Sequence, residues 1–279
     1  MTDFLTLDGH RIAFAEAGSS SNPPVILIHG IMSHRGVWTR TLEELKNDFH
    51  CIAIDQLGFG DSDKPKDGDY TIAKQAERAL KIADHFGFEK FSLVGHSMGG
   101  QVSTYLAANL APQRVSKLIS VDGVVTGKLS ERAQNITRRM VALGEKIPAL
   151  YSYLKKISER WSAFAYWSFD VWFYKIKELP LEAWELDRRM ALNPEIAFST
   201  PKAWDSLNAT DLAPMLKNIS APTLVIFGNQ DGTVPVSQAH TFKQNLPAAQ
   251  LVLLDQCGHF PMYEKFNEYI KPLRDFLLS

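Results

Sequence analysis

Six short runs rich in apolar and β-branched residues recur along the 279-residue chain, at 25–28, 51–54, 91–94, 115–121, 223–227 and 251–254. They are too short for helices, and several lack polar alternation, which suits strands covered on both faces. Between most of them lie segments whose apolar residues repeat at helical spacing, such as 37–45, 71–86 and 98–110. The alternation predicts an α/β class, with a mostly parallel central sheet and helices on both faces. A hairpin is predicted at the start, where residues 4–7 and 11–17 flank Asp8-Gly9, a dipeptide suited to the positive φ angles of a tight turn. Sheets of this kind take their ligands outside the carboxyl ends of the strands, so chemistry is expected in the residues just past those ends.

The rhythm breaks between about Gly123 and Trp204. Strand runs vanish there, and the helical stretches become rich in aromatic residues, among them Trp161, Trp167, Trp172, Trp184 and Trp204. The expected division is a core of residues 1–122 and 205–279 with a helical cap insertion of residues 123–204. An insertion that follows a strand's carboxyl end sits over the site. Its aromatic residues either form the cap's own core or face the cleft, and Trp161, Trp167 and Trp172 are the candidates for contact with a substrate.

The run at 91–94 leads directly into Gly95-His96-Ser97-Met98-Gly99-Gly100, after which residues 101–110 read as helix. That is the strand, turn and helix context a G-x-S-x-G motif requires, with no room for side chains at Gly95 and Gly99 and the Ser97 hydroxyl lifted above the sheet. A serine hydroxyl is a weak nucleophile near neutral pH and needs a base, which a third group must hold. Asp231 follows the run at 223–227 and His259 follows the run at 251–254, so both emerge at the same sheet edge as Ser97. Asp122, past the run at 115–121, is a rival to Asp231 for the same imidazole. Attack on a carbonyl also needs donors aimed at the oxyanion. The backbone amides of Met98, at a helix start, and Ile31, past the run at 25–28, are the candidates. His29 and His96 are explained by the turns they occupy, and His29 with His34 lacks the partners of a metal site. This chemistry calls for no cofactor and no metal.

Composition closes other routes. Lys+Arg 30 against Asp+Glu 31 gives a formal charge of -1, with no basic excess to attract nucleic acid or anionic lipid. Cys51 and Cys257 lack the spacing of a disulfide framework or zinc site and read as free thiols. The first residues do not resemble a secretory signal, and no apolar run approaches the roughly 18 residues of a membrane span. A cytoplasmic protein without membrane or nucleic-acid partners is expected, and sequons at Asn135, Asn208 and Asn218 are then chance matches.

At these residues the chain resembles the α/β-hydrolase superfamily. Residues 25–30, the segment DQLGFGDSDKP at 55–65, residues 93–100, and Asp231 with His259 carry the likeness, which covers essentially everything outside the cap. The segment at 55–65 is similar to a loop shared by small esterases, dehalogenases, epoxide hydrolases and ring-fission C-C hydrolases. Dehalogenases and epoxide hydrolases place a carboxylate where this sequence has Ser97, so the resemblance implies an acyl-serine route. C-C hydrolases of meta-cleavage products typically carry tryptophan after the catalytic histidine and a glycine-rich oxyanion loop. Here Phe260 follows His259 and Ile31-Met32-Ser33 follows Gly30. The likeness therefore implies a carboxylesterase-type serine hydrolase acting on small-molecule esters. C-C hydrolase, thioesterase, lactonase, amidase and perhydrolase activities remain alternatives, as does a non-catalytic small-molecule-binding protein.

Overall fold

The computed structural model describes residues 3–147, 150, 153, 156, 166 and 169–279. Its centre is an eight-stranded sheet of order β1-β2-β4-β3-β5-β6-β7-β8. The strands are β1 (Asp3–Leu7), β2 (His10–Ala17), β3 (Pro24–Ile28), β4 (His50–Ile54), β5 (Phe91–His96), β6 (Val115–Val121), β7 (Thr223–Gly228) and β8 (Gln250–Leu254). β1 and β2 form the expected hairpin, with Asp8 and Gly9 at φ 54° and 81°. β2 runs antiparallel to β4, and every pairing from β4 to β8 is parallel.

Alternation along each strand divides the core in two. Ile26 and Ile28 of β3 face one apolar layer with Ile52, Ile54 and Leu93, whereas Val25 and Leu27 face another with Cys51, Ala53 and Val94. Helices α2 (Ile72–His85) and α3 (Met98–Tyr105) cover the first face with Ala76, Ala79, Ile82 and Val102. Thr71 caps α2 by accepting from the Lys74 amide at 3.3 Å. Helix α1 (Thr39–Leu45) and the last helix, Phe266–Leu278, cover the second face with Leu42, Leu45, Tyr269 and Leu273. Burying both faces of the sheet is what keeps its parallel strands from water.

Two segments differ from simple helices. Residues 35–38 form a 3-10 turn before α1, capped by His34, whose Nδ1 accepts from the Gly36 amide at 3.0 Å. The segment predicted as helix to residue 110 widens at Leu106–Leu110 into a π turn. It closes with Ala111 N–H donating to Leu106 O at 3.0 Å, and Pro112 then forbids further helix.

Between β6 and β7 the described residues contain no strand. They contain α4 (Glu131–Lys146) and the helices Leu181–Ala191 and Ser199–Ala209. The last of these runs through Trp204 without a break, and Ser199 Oγ donates to Gly58 O at 2.7 Å. This insert rises from the carboxyl edge of the sheet, the edge at which Ser97, Asp231 and His259 emerge. Cys51 and Cys257 are buried free thiols. No helix of the described residues is long and apolar enough to cross a membrane.

Candidate active site

Close contacts on both sides dictate the turn that carries Ser97. Its backbone sits at φ 55°, ψ −118°, a conformation that costs a residue with a side chain about 1–3 kcal/mol and persists only where surrounding structure imposes it. A Cβ on Gly95 would lie 2.3 Å from the Gly99 carbonyl oxygen, and one on Gly99 would lie 2.1 Å from the Ile28 carbonyl oxygen. Both positions therefore require glycine. The Ser97 amide donates to Val121 O at 3.0 Å, and its carbonyl accepts from the amides of Gln101 and Val124 at 3.2 Å each.

Three hydrogen bonds fix His259. Its ring Nδ1 donates to Asp231 Oδ2 at 2.6 Å, its amide donates to Trp172 O at 2.8 Å, and its carbonyl accepts from His96 Nε2 at 2.7 Å. Because an ionised carboxylate only accepts, Nδ1 holds the proton and Nε2 the lone pair. Asp231 is oriented in turn by the amides of Thr233 and Val234, which donate to its Oδ1 at 2.7 and 3.0 Å.

Asp122 is near but does not take the imidazole. Its Oδ1 accepts from the Gly228 amide at 2.7 Å, and one oxygen of Asp122, one of Asp231 and a ring nitrogen of His259 lie within 4.8 Å of one another. Burial, then the Asp231 charge, push Asp122 well above the usual carboxylate range. Asp231 accepts from three donors, whereas among the described residues Asp122 accepts from the Gly228 amide alone.

His29 and His96 are kept neutral by burial. Burial lowers His29 to about 4; its Nδ1 donates to Gly30 O at 2.6 Å, and its Nε2 accepts from the Gln56 amide at 3.0 Å. Burial likewise drives His96 well below the ordinary histidine range. The turns they occupy account for both, as expected, but the grip of His96 on the His259 backbone carried no sequence signal.

Ser97, His96 and His259 share a narrow cavity of about 60 Å³. Ile31 and Met32 line it beside Ser97, with Met32 at φ 57°. Met98 opens α3 directly after Ser97, and among the described residues no acceptor takes the amide of Ile31 or Met98. The insert closes the cavity with Ala133, Ile136, Phe169, Val171, Trp172 and Trp204, and Phe260 completes it from the sheet side. Of the three tryptophans predicted to contact a substrate, Trp172 lines the cavity, while Trp161 and Trp167 lie outside the described residues. Trp184 serves the insert's own core, fully buried against Tyr166, Phe169 and Phe173.

Comparison with known proteins agrees with this architecture. The alpha/beta hydrolase fold family matches residues 23–266. The pimeloyl-(acyl-carrier protein) methyl ester esterase of Vibrio parahaemolyticus is 30% identical over 266 residues, covering 91% of this chain and 94% of its own. Lipase 1 of Psychrobacter immobilis is 29% identical over 270 residues, covering 95% of this chain and 80% of its own. Among solved structures, a bacterial membrane phospholipase A superimposes with a TM-score of 0.80 at 28% identity, over 99% of this chain and 85% of that one. With its sheet order, its strand-turn-helix serine and this match over most of its length, the chain belongs to the α/β hydrolase fold family and is a hydrolase.

Proposed function

We propose that this protein hydrolyses carboxylic esters of small to medium apolar acyl or aryl groups through an acyl-enzyme, with Ser97 as nucleophile, His259 as base and Asp231 as its orienting acid. The observation that carries the reading is the 2.6 Å hydrogen bond from His259 to Asp231 at the wall of an apolar cavity that also holds Ser97. His259 Nε2 takes the Ser97 proton as Oγ attacks the acyl carbonyl, and Asp231 stabilises the resulting imidazolium. The amides of Ile31 and Met98 receive the oxyanion, each such donor being worth about 3–4 kcal/mol in comparable sites. His259 then protonates the leaving alcohol and activates water for deacylation. The insert acts as a cap whose apolar wall excludes water and rewards apolar area on the substrate. The ester reading is in keeping with the names of the esterase and lipase relatives.

The test is hydrolysis of p-nitrophenyl esters from acetate to palmitate by the wild type and Ser97→Ala, with fluorophosphonate labelling of both. Short-chain turnover and labelling that Ser97→Ala abolishes are the expected result. Labelling without ester turnover would redirect the search to ring-fission diketone acids, and absence of both would mark a binding protein.

A further inference from the structure

The carboxylate of Asp187 lies on the insert helix Leu181–Ala191 yet is spent entirely on groups from the sheet side of the cavity. It is 1% exposed. Ser33 Oγ donates to its Oδ1 at 2.8 Å, the Tyr263 hydroxyl donates to its Oδ2, and His34 Nε2 lies 3.6 Å from Oδ1. Ser33 and His34 continue the Gly30-Ile31-Met32 loop, and Tyr263 sits four residues after His259.

Isolated buried carboxylates are costly, and one is retained where several donors surround it. Burial alone would raise Asp187, but the His34 imidazole beside it and the bonds from Tyr263 and Ser33 outweigh it and hold the group below the usual carboxylate range. Burial would also lower His34, but Asp187 outweighs it and raises the imidazole above the ordinary value of 6.5. Burial first, then Asp187, keep Tyr263 a protonated donor. Asp55 and Arg35 also face His34, Asp55 being paired with Arg35.

The loop this carboxylate holds is a strained one. Met32 lies at φ 57° between Ile31 and Ser33, a conformation that nothing in a methionine side chain favours. A bond to Ser33 immediately after Met32 stops the turn from relaxing and so fixes the direction of the Ile31 amide.

We propose that Asp187 is a positioning residue for the oxyanion loop: from the cap it grips Ser33 on one side and Tyr263 on the other, so the Ile31 amide is set only when that cap helix is docked. The proposal rests on the reading of Ile31 as an oxyanion donor. It makes the cap part of the catalytic geometry as well as a lid.

The test compares wild type, Asp187→Asn, Ser33→Ala and Tyr263→Phe in p-nitrophenyl ester kinetics, with fluorophosphonate labelling rates and thermal melts. A displaced donor in an otherwise intact site should lower kcat and labelling rate together by about 10- to 100-fold, with KM changed less than threefold. Folded variants with wild-type kcat and only lower melting temperatures would overturn the proposal. If Asp187→Asn does not fold, Ser33→Ala and Tyr263→Phe decide on the same criterion. A wild type that neither labels nor turns over would instead remove the esterase reading.

Discussion

His96 donates its Nε2 proton to the backbone carbonyl of His259 at 2.7 Å, across 163 positions of sequence, with the two rings 4.7 Å apart. The residue before the candidate nucleophile thus holds the residue that would activate it. Burial keeps His96 neutral, so its single ring proton is the one given to this carbonyl.

Replacing His96 by phenylalanine keeps a ring in that space and removes the donor. The His259 carbonyl is then buried without a partner, at a cost of about 1–3 kcal/mol. A correspondingly lower melting temperature is expected, with kcat falling more than KM changes. Unchanged kcat at lowered stability would show that His259 needs no hold on its backbone.

Asp231→Asn and Asp122→Asn should behave oppositely. At Asp231 the change removes the charge that holds the imidazole, for a loss of about 10,000-fold in kcat. At Asp122 an amide can replace a neutral carboxyl nearly atom for atom, with its oxygen still accepting from Gly228, and kcat is expected within about threefold of wild type. The pH dependence follows from the raised Asp122 value. An acid whose folded pKa lies above its unfolded 3.8 is stabilising below that value, and the benefit is lost as pH rises through the folded value. Asp122→Asn lacks this loss, so its melting temperature relative to wild type should rise from pH 4 to pH 8. A relative fall over that range would mean that Asp122 is ionised.

The sheet was legible because its signals are local. Asp8-Gly9 marks a hairpin, and Gly95 and Gly99 mark a turn whose crowding is between backbone atoms, so the sequence alone places Ser97 at a strand end. Asp231 was favoured over its rival Asp122 from the sequence, although both follow strand ends on adjacent strands and only the direction of the side chains separates them. The bonds of His96 and Asp187 were hidden: each joins elements far apart in the chain, and nothing in residue type or spacing records the partner. Ala133 and Ala191, which also line the cavity, were invisible because a small side chain signals a wall only once the helices have docked.

Glu264 stitches the His259 loop to the insert. Its Oε1 accepts from the Gly258 amide at 3.0 Å and its Oε2 from the Tyr174 amide at 2.8 Å. Glutamine offers one acceptor in place of two, so Glu264→Gln strands one of these amides and should lower both stability and kcat. Burial raises Glu264 to about 7 against these same bonds. Wild-type stability should therefore decline between pH 4.5 and about 7 in a way the variant does not share, which thermal melts across that range would reveal. Parallel pH profiles would place the titration elsewhere.

Chain-length preference should be set by the insert's contribution to the cavity wall. Trp204 lines it from the helix Ser199–Ala209, and Ala191 lines it from the end of the helix that carries Asp187. Removing the indole in Trp204→Ala opens apolar space, and each methylene that fills such space is worth about 1–3 kcal/mol in discrimination. The optimum among p-nitrophenyl esters should move to longer acyl chains, with kcat/KM for hexanoate and octanoate rising at least 10-fold relative to acetate. Ala191→Phe fills space, and the same ratio should fall. A different result would be informative about direction: if both variants changed all chain lengths in parallel, the acyl group would lie along Phe260 and Met32, and the insert would face the leaving alcohol. Measuring the same pair of variants with acetate esters of increasingly large alcohols distinguishes the two orientations, because the variant that tolerates the longer alcohol must be the one whose wall faces it.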